Sequence, residues 1–195
     1  MPTALLLIFV RHPVRGQVKT RLARAVGPDR ALAVYERLLD HTLRVTRPLP
    51  AVKRVHYAAE IPTADRWAAA NYERRPQPTG DLGDRMRTAF EVAFREGHER
   101  VVIVGSDCPG LTTGVLESAF EALGTHDVVL GPAEDGGYYL LGMKHLHPEL
   151  FADKPWSTPQ VLANTRADLI RLALTHHELP PLNDVDEATD LPLGW

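Results

Sequence analysis

One carboxylate follows the most strand-like run in the sequence. Residues 101–104 are four consecutive β-branched apolar residues, which is typical of a strand buried on both faces of a parallel sheet. Gly105 ends this run and Asp107 follows it. Open α/β sheets bind ligands beyond the carboxyl ends of their strands, and a carboxylate placed there is suited to hold a divalent cation against phosphate oxygens. In the alternative interpretation Asp107 only shapes a turn, because Asp-x-Pro is common in loops.

A cluster of cations follows the first predicted strand. Residues 4–10 are apolar throughout and predict a central strand, and the stretch that follows carries Arg11, Arg15, Lys19 and Arg21. A loop after the first strand is where α/β nucleotide-binding proteins hold phosphates, and both guanidinium and ammonium groups suit phosphate oxygens. The spacing of a Walker A loop is missing. The alternative interpretation is a solvated basic loop.

Two further carboxylates lie near the end of the chain. Asp184 and Asp186 alternate about Val185, so in an extended segment they point to the same side. Because two such carboxylates repel each other unless a cation or solvent relieves the repulsion, they are candidate metal partners for Asp107. Asp190 is expected in a last short helix. The nine histidines form no pattern typical of a zinc site.

Two glycine-containing turns have both a structural and a functional interpretation. Gly80 precedes a predicted helix, which Asp81 or Asp84 would cap, or Gly80 lets backbone N–H groups approach a nucleotide closely. The run Asp135-Gly136-Gly137 predicts a tight turn. It either only reverses the chain or also clears room for a ligand, which Tyr138 and Tyr139 would wall.

One aromatic residue lies in a later loop. Trp156 precedes a predicted helix that Ser157 or Thr158 opens, with Pro159 in its first turn. An aromatic residue in this position is either a lid over the core or a platform for a substrate.

The remaining pattern alternates strands and helices. It predicts helices over residues 28–47, 62–70 and 113–123 and one after Gly80, strands over residues 52–58 and 127–130, and a polar link from Tyr72 to Pro78. This alternation indicates one α/β domain, residues 1–195, built on a mostly parallel sheet.

Composition excludes several classes of protein. A net charge of −3 argues against a general nucleic-acid binder, and no apolar run approaches the roughly 18 residues of a membrane span. The apolar start of the chain lacks the basic lead and cleavage site of a signal peptide. With the single cysteine Cys108, predicted to be inert, no intrachain disulfide forms, which fits a cytoplasmic enzyme.

Five short motifs in their order along the chain resemble one family. They are Lys19-Thr20-Arg21-Leu22, Gly80-Asp81-Leu82-Gly83, Gly105-Ser106-Asp107-Cys108-Pro109, the run 131–138 with Asp135-Gly136-Gly137-Tyr138, and Pro155-Trp156-Ser157-Thr158. The chain resembles bacterial transferases of the nucleotide-diphospho-sugar transferase superfamily, of the arsenosugar-biosynthesis glycosyltransferase type associated with radical-SAM gene neighbourhoods. It is more distantly similar to phospholactate guanylyltransferases.

The resemblance implies a GT-A (Rossmann-like) three-layer α/β sandwich and a set of site residues. It implies nucleotide binding by Arg11, Lys19, Thr20, Arg21 and Gly80, metal binding by Asp107, Asp184 and Asp186, and acceptor binding by Asp135, Gly136, Gly137, Tyr138 and Trp156. The sequence departs from the family's pattern at Arg11, where the family usually has lysine, and at Arg15, where it usually has proline.

The leading hypothesis is a metal-dependent transferase that uses Mg²⁺ or Mn²⁺. The donor would be a nucleotide-sugar or a nucleoside triphosphate and the acceptor a small molecule, with Lys19, Asp107 and Asp135 as catalytic residues. Glycosyl transfer is the expected reaction, and nucleotidyl transfer with pyrophosphate release is the alternative. A non-catalytic nucleotide-binding protein is the rival from another class. The sequence indicates neither the acceptor nor the oligomeric state.

Overall fold

A seven-stranded sheet forms the middle layer of the computed structural model, which describes residues 3–192 and 194–195. The strand order is β3-β2-β1-β4-β6-β5-β7; β6 is antiparallel to both its neighbours, and the other six strands share one direction. The strands are β1 (Ala4–Val10), β2 (Val52–Tyr57), β3 (Glu73–Pro76), β4 (Arg100–Val104), β5 (Val128–Pro132), β6 (Tyr138–Met143) and β7 (His176–Glu178).

Helices cover both faces of the sheet. They are α1 (Thr20–Val26), α2 (Pro28–Thr46), α3 (Arg66–Ala69), α4 (Leu82–Arg95), α5 (Thr113–Ala122) and α6 (Val161–Arg171), with 3-10 helices at Pro148–Leu150 and Ala188–Asp190. Residues of α1, α2, α3 and α5 join one hydrophobic cluster, and residues of α4 and α6 join the other. The molecule is therefore the α/β three-layer sandwich that the sequence predicted.

The two central strands are buried on both faces. In β1, Leu6 and Ile8 join the first cluster while Leu5 and Leu7 join the second, and all four are fully buried. Residues 101–104 of β4 alternate between the two clusters in the same way. This double burial explains why both strands are continuous apolar runs, and it confirms the strands predicted at these positions.

The polar link predicted from Tyr72 to Pro78 contains a strand. Glu73–Pro76 forms β3 at the edge of the sheet, paired in parallel with β2. Its polarity has a structural reason: Arg54 of β2 is 2% exposed, and its guanidinium donates to Glu73 at 2.7 Å and to Glu96 at 2.6 Å. A strand that completes a buried ion pair lacks the apolar alternation that a sequence pattern detects.

The sequence did not predict the start of two helices. No helix was predicted in the basic stretch after β1, but α1 begins there at Thr20. The helix expected to open at Ser157 or Thr158 begins at Val161 instead. Ser157 adopts a left-handed φ of 62°, and the Thr158 hydroxyl donates to the Pro155 carbonyl at 2.7 Å, so these residues form turns before the helix.

The C-terminal segment runs along the edge where the parallel strands end. The amide of Leu179 donates to Leu130 at 2.8 Å, that of Leu182 to Pro132 at 3.1 Å, and that of Val185 to the Asp107 carbonyl at 2.9 Å. Residues that follow β1, β4, β5 and β7 therefore meet at one edge of the sheet. Among the described helices, none has the length and apolarity needed to cross a membrane.

Candidate functional site

The ammonium of Lys19 lies between two carboxylates from distant parts of the chain. Its Nζ is 3.0 Å from Oδ2 of Asp107 and 3.2 Å from Oδ1 of Asp186. The Lys19 side chain is only 5% exposed, whereas the two carboxylates are 39% and 52% exposed. A cation shared by two partly solvated carboxylates is a charged group held in place at the edge where such sheets bind ligands.

The backbone at Lys19 is strained. Lys19 precedes the first residue of α1 with φ 48° and ψ 46°, the left-handed conformation, and its carbonyl accepts from Ala23 at 2.8 Å. This conformation costs a non-glycine residue about 1 kcal/mol or more, so the surrounding structure must hold it. The Lys19 side chain contacts Asp107 from this position, where the basic loop becomes a helix.

Asp107 has one carboxylate oxygen without a described partner. Oδ2 contacts Lys19, while Oδ1 is buried and has no hydrogen-bond partner among the described residues. The simple turn-capping interpretation of Asp107 would require a backbone amide to donate to this side chain. The chain that follows does turn, but through the Leu111 amide, which donates to the Cys108 carbonyl at 3.3 Å. Burial raises the pKa of the Cys108 thiol to about 12, in keeping with the inert cysteine that the sequence predicted.

Asp184 lies within electrostatic reach of the other acidic side chains. Burial raises its pKa to about 7, repulsion from Asp107 adds to the shift, and Lys19 opposes it. Asp135 and Asp186 repel it more weakly. Val185, which is fully buried, anchors the segment between the two C-terminal carboxylates. Of the three residues that the sequence grouped, Asp107 and Asp186 share the Lys19 ammonium, and Asp184 lies close enough to both for their charges to raise its pKa.

These carboxylates do not form a closed cage for a metal ion. Among residues 3–192 and 194–195, no group of three or more His, Cys, Asp or Glu side chains converges closely enough to hold a metal ion by itself. Mg²⁺ is usually bound by one or two carboxylates together with water and substrate phosphates. In this group, Oδ1 of Asp107 is buried and has no hydrogen-bond partner among the described residues.

The other cations of the basic loop differ in their availability. Arg21 is 68% exposed and its Nη1 lies 3.6 Å from Oδ2 of Asp186. Thr20, the first residue of α1, and Arg11 are exposed. Arg15 forms an ion pair with Asp29 at 2.6 Å, so its added charge is neutralised locally by α2. Lys19 and Arg21 therefore contact the acidic cluster, which consists of Asp107, Asp184 and Asp186, whereas Arg15 pairs with Asp29.

Sequence analysis missed the role of Tyr35. Tyr35 falls at the helical spacing of the apolar residues in the helix predicted over residues 28–47, and it is indeed 2% exposed. Its hydroxyl, however, accepts from the Arg11 amide at 2.8 Å and lies 3.3 Å from Oγ of Ser106. Burial raises its pKa to about 12, and the charge of Asp107 adds to the shift. The available signal was a phenol hydroxyl on a mostly aliphatic face, since such a group needs a partner when buried.

Gly80 and its neighbours form the start of α4. The Asp81 side chain accepts from the Asp84 amide at 2.9 Å, which confirms the helix-cap interpretation. Gly80 has φ 105°, and a Cβ at this position would lie 2.6 Å from the Cβ of Asp84. This glycine is therefore explained by the turn, and nucleotide binding at Gly80 stays a prediction.

The run Asp135-Gly136-Gly137 forms the tight turn that the sequence predicted, between the antiparallel strands β5 and β6. Oδ1 of Asp135 accepts from the Gly137 amide at 2.9 Å. Gly136 has φ 88°, and a Cβ there would collide with the backbone oxygen of Pro159. The space over Gly136 is taken by the chain itself, so the idea that this glycine clears room for a ligand is wrong. Asp135 itself remains exposed at the edge of the sheet.

The aromatic residues near this turn also have structural roles. The Tyr139 hydroxyl donates to the Pro180 carbonyl at 3.0 Å from a buried ring, so Tyr139 does not wall a ligand site. The Tyr138 ring belongs to the other cluster, and burial raises its pKa. Trp156 covers Gly83, where a Cβ would collide with Nε1, and its ring centroid is 6.4 Å from that of Phe151. Trp156 is thus a lid over the start of α4.

The seven-stranded sheet with helices on both faces defines an α/β fold that similar proteins of known structure share. Residues 42–158 match the family described as uncharacterized protein conserved in bacteria (DUF2064), and the chain belongs to this family. The matched part includes Asp107 and the Asp135 turn, while Lys19, Asp184 and Asp186 lie outside it.

Three similar proteins extend the comparison. A protein from Desulfovibrio desulfuricans G20, provisionally described as a nucleotide-diphospho-sugar transferase, is 33% identical, with 96% of this chain and 84% of that one covered and a TM-score of 0.89. Phosphoenolpyruvate guanylyltransferase of Sphaerobacter thermophilus is 29% identical over 119 residues, which span 58% of this chain and 56% of that enzyme. The inositol-1-phosphate CTP transferase from T. maritima shares the fold at 9% identity, with a TM-score of 0.58 over 99% of this chain and 93% of that one.

Proposed function

We propose that the chain is a nucleotide-dependent transferase that binds the phosphates of its donor beside Lys19, Arg21 and Asp107. The observation that carries the proposal is the position of the Lys19 ammonium, 3.0 Å from Asp107 at the carboxyl edge of the sheet. A nucleoside phosphate supplies anionic oxygens that can replace the two carboxylates as hydrogen-bond partners of this ammonium. Arg21 is exposed beside it and can bind a second phosphate oxygen.

A divalent cation, Mg²⁺ or Mn²⁺, fits the acidic side of this site. Asp107 would hold it, with Asp184 and Asp186 as further oxygen donors, and substrate phosphates would complete the coordination. When bound, the cation supplies Lewis-acid neutralisation of the phosphate charge. The unpartnered Oδ1 of Asp107 supports this assignment.

Nucleotidyl transfer is the reaction that the basic loop supports best. An acceptor oxygen would attack the α-phosphorus of a nucleoside triphosphate, the bond from that phosphorus to the oxygen bridging it to the β-phosphorus would break, and pyrophosphate would leave with the electron pair. Lys19 and Arg21 are the groups that can stabilise the charge on this leaving group. The similarity to a guanylyltransferase points in the same direction and suggests GTP as the donor to test first.

Glycosyl transfer is the second candidate, favoured by the relative described as a nucleotide-diphospho-sugar transferase. In that reaction the acceptor attacks the anomeric carbon and a nucleoside diphosphate leaves, so the same cations would stabilise a diphosphate. The proposed relation to arsenosugar-type glycosyltransferases applies only if the reaction is glycosyl transfer.

The acceptor is proposed to bind on the side of Asp135. This residue is exposed, its side chain is oriented by the Gly137 amide, and it is close enough to Asp184 to raise that residue's pKa. Asp135 is therefore the candidate to orient the acceptor or accept its proton. Tyr138 and Trp156 would shape this side as part of the packed structure.

The test is a thermal-shift titration with each nucleoside triphosphate and each common nucleotide-sugar, with and without Mn²⁺. A ligand that binds the folded state raises its apparent stability. Metal-dependent stabilisation by a triphosphate alone supports nucleotidyl transfer, and stabilisation by one nucleotide-sugar supports glycosyl transfer. If no nucleotide changes the melting temperature, the proposal is wrong. If binding occurs, release of pyrophosphate or of nucleoside diphosphate over a panel of small acceptors separates an enzyme from a binding protein.

A further inference from the structure

One buried hydroxyl joins the two loops that carry the opposite charges of the site. Tyr35 lies on α2 beneath the carboxyl ends of β1 and β4, which are neighbours in the sheet with Ile8 opposite Val104. Its Oη lies 2.8 Å from the Arg11 amide, 3.2 Å from the Arg11 carbonyl and 3.3 Å from Oγ of Ser106. Tyr35 and Ser106 are 2% and 3% exposed, so water does not replace these contacts.

The two partners of this hydroxyl have specific places in the site. Arg11 is the first residue of the basic loop that ends at Lys19, and Ser106 immediately precedes Asp107. A phenol hydroxyl has one proton and accepts through its lone pairs, so it accepts from the Arg11 amide while donating to the Arg11 carbonyl or to Ser106. The same atom therefore bonds to the beginning of the cationic loop and to the residue before the key carboxylate.

We propose that Tyr35 is a positioning residue that sets the separation between the basic loop and Asp107. The role rests on the proposed function, since the ligand whose affinity it controls is the nucleoside triphosphate. Tyr35 does not touch that ligand. It acts by keeping the loop after β1 at a fixed distance from the loop after β4, so that the cations of the basic loop and the carboxylate proposed to hold a divalent cation lie at one donor site.

The chain offers a matched control for this role. Tyr72 is also a buried tyrosine, 7% exposed, and its hydroxyl lies 3.0 Å from Oγ1 of Thr46. Thr46 is the last residue of α2 and lies near the start of β2, at the amino ends of the parallel strands and away from the candidate site. Tyr35→Phe and Tyr72→Phe each remove one buried hydroxyl, and we expect the larger loss of stability from Tyr35→Phe, because it also leaves the Arg11 amide without its partner.

The experiment measures hydrogen exchange in the ligand-free variants and GTP binding by calorimetry in the presence of Mg²⁺. In Tyr35→Phe we expect faster exchange of amides between Arg11 and Lys19 and a loss of GTP affinity of about fivefold to tenfold, the effect of one buried hydrogen bond. In Tyr72→Phe both quantities are expected to match the wild type. Equal GTP affinity in Tyr35→Phe and wild type, or equal losses in the two variants, would overturn the proposal.

Ser106→Ala provides an independent check through a double-mutant cycle. If Tyr35 acts partly through Ser106, the effects of Tyr35→Phe and Ser106→Ala on GTP affinity are less than additive. Full additivity would show that the contact between the two loops is not what Tyr35 contributes. A wild-type protein that binds no nucleoside triphosphate would refute the proposed function instead. The exchange rates of the ligand-free variants would still decide whether Tyr35 holds the loop.

Discussion

Nζ of Lys19 lies 3.0 Å from Oδ2 of Asp107, so the loop after β1 and the loop after β4 are joined by a pair of opposite charges. In the absence of ligand, the ammonium supplies the positive charge that the acidic cluster requires. A divalent cation bound to the carboxylates and a phosphate bound to the ammonium would satisfy each charge separately. The geometry therefore links the two binding events, because each ligand removes one partner of the pair.

Replacing Lys19 by methionine should affect the two ligands in opposite directions. We expect Lys19→Met to bind Mn²⁺ alone a few times more tightly than wild type, since the competing internal cation is gone, and to bind GTP about tenfold more weakly because a charged hydrogen bond to phosphate is lost. Electron paramagnetic resonance measures free Mn²⁺, and calorimetry measures GTP binding. Arg15→Met is the control, because Arg15 lies in the same loop as Lys19 but pairs with Asp29 of α2. Weaker Mn²⁺ binding in Lys19→Met would contradict this interpretation.

Replacing Asp107 by asparagine should remove the metal-dependent part of nucleotide binding. Asparagine keeps the size of the side chain but loses the charge, so GTP affinity in Mg²⁺ should fall to the value measured with EDTA, and turnover should fall by about two orders of magnitude or more. The comparison of affinity with and without Mg²⁺ is the measurement. Asp29→Asn, at an exposed carboxylate of α2, is expected to leave both values unchanged. An Asp107→Asn protein that retains the Mg²⁺ effect would exclude Asp107 as a metal ligand.

The sequence predicted the central elements because burial determines them. β1 and β4 are apolar on both faces and α2 carries a helical apolar stripe, so local patterns were sufficient. β3 was missed because its polar residues pair with a buried arginine. The contact between Lys19 and Asp186 joins residues 167 positions apart, and no local pattern encodes such a distance. The grouping of Asp184 and Asp186 with Asp107 came from the repulsion expected between two same-side carboxylates and from the family resemblance.

The glycine at position 136 offers a test of the packing that replaced the predicted ligand space. Gly136→Ala places a Cβ against the backbone of Pro159 at φ 88°, and we expect a loss of unfolding free energy of about 2–4 kcal/mol. Gly97→Ala has the same backbone strain, φ 89°, but no atom within 4 Å of the new Cβ, so it should lose only about 1 kcal/mol. Urea unfolding of the two variants gives the difference. Equal losses would show that the loop around Pro159 yields easily, and that this space is open to a ligand.

The buried His56 should make stability depend on pH. Burial lowers its pKa to about 4, and the charges of Arg54 and Arg75 add to the shift. The unfolded chain therefore binds more protons than the folded one between about pH 4 and pH 6.5, so the contribution of neutral His56 is complete above pH 6.5 and is lost as the pH falls toward 4. The loss attributable to this residue is on the order of 3 kcal/mol.

Urea unfolding at pH 7 and at pH 4.5 for the wild type and for His56→Gln isolates the contribution of His56, since glutamine does not titrate. The free-energy difference between the two proteins should shrink, or reverse in favour of His56→Gln, at the lower pH. A difference that stays constant would show that the folded protein accepts a proton on His56 as readily as the unfolded chain does.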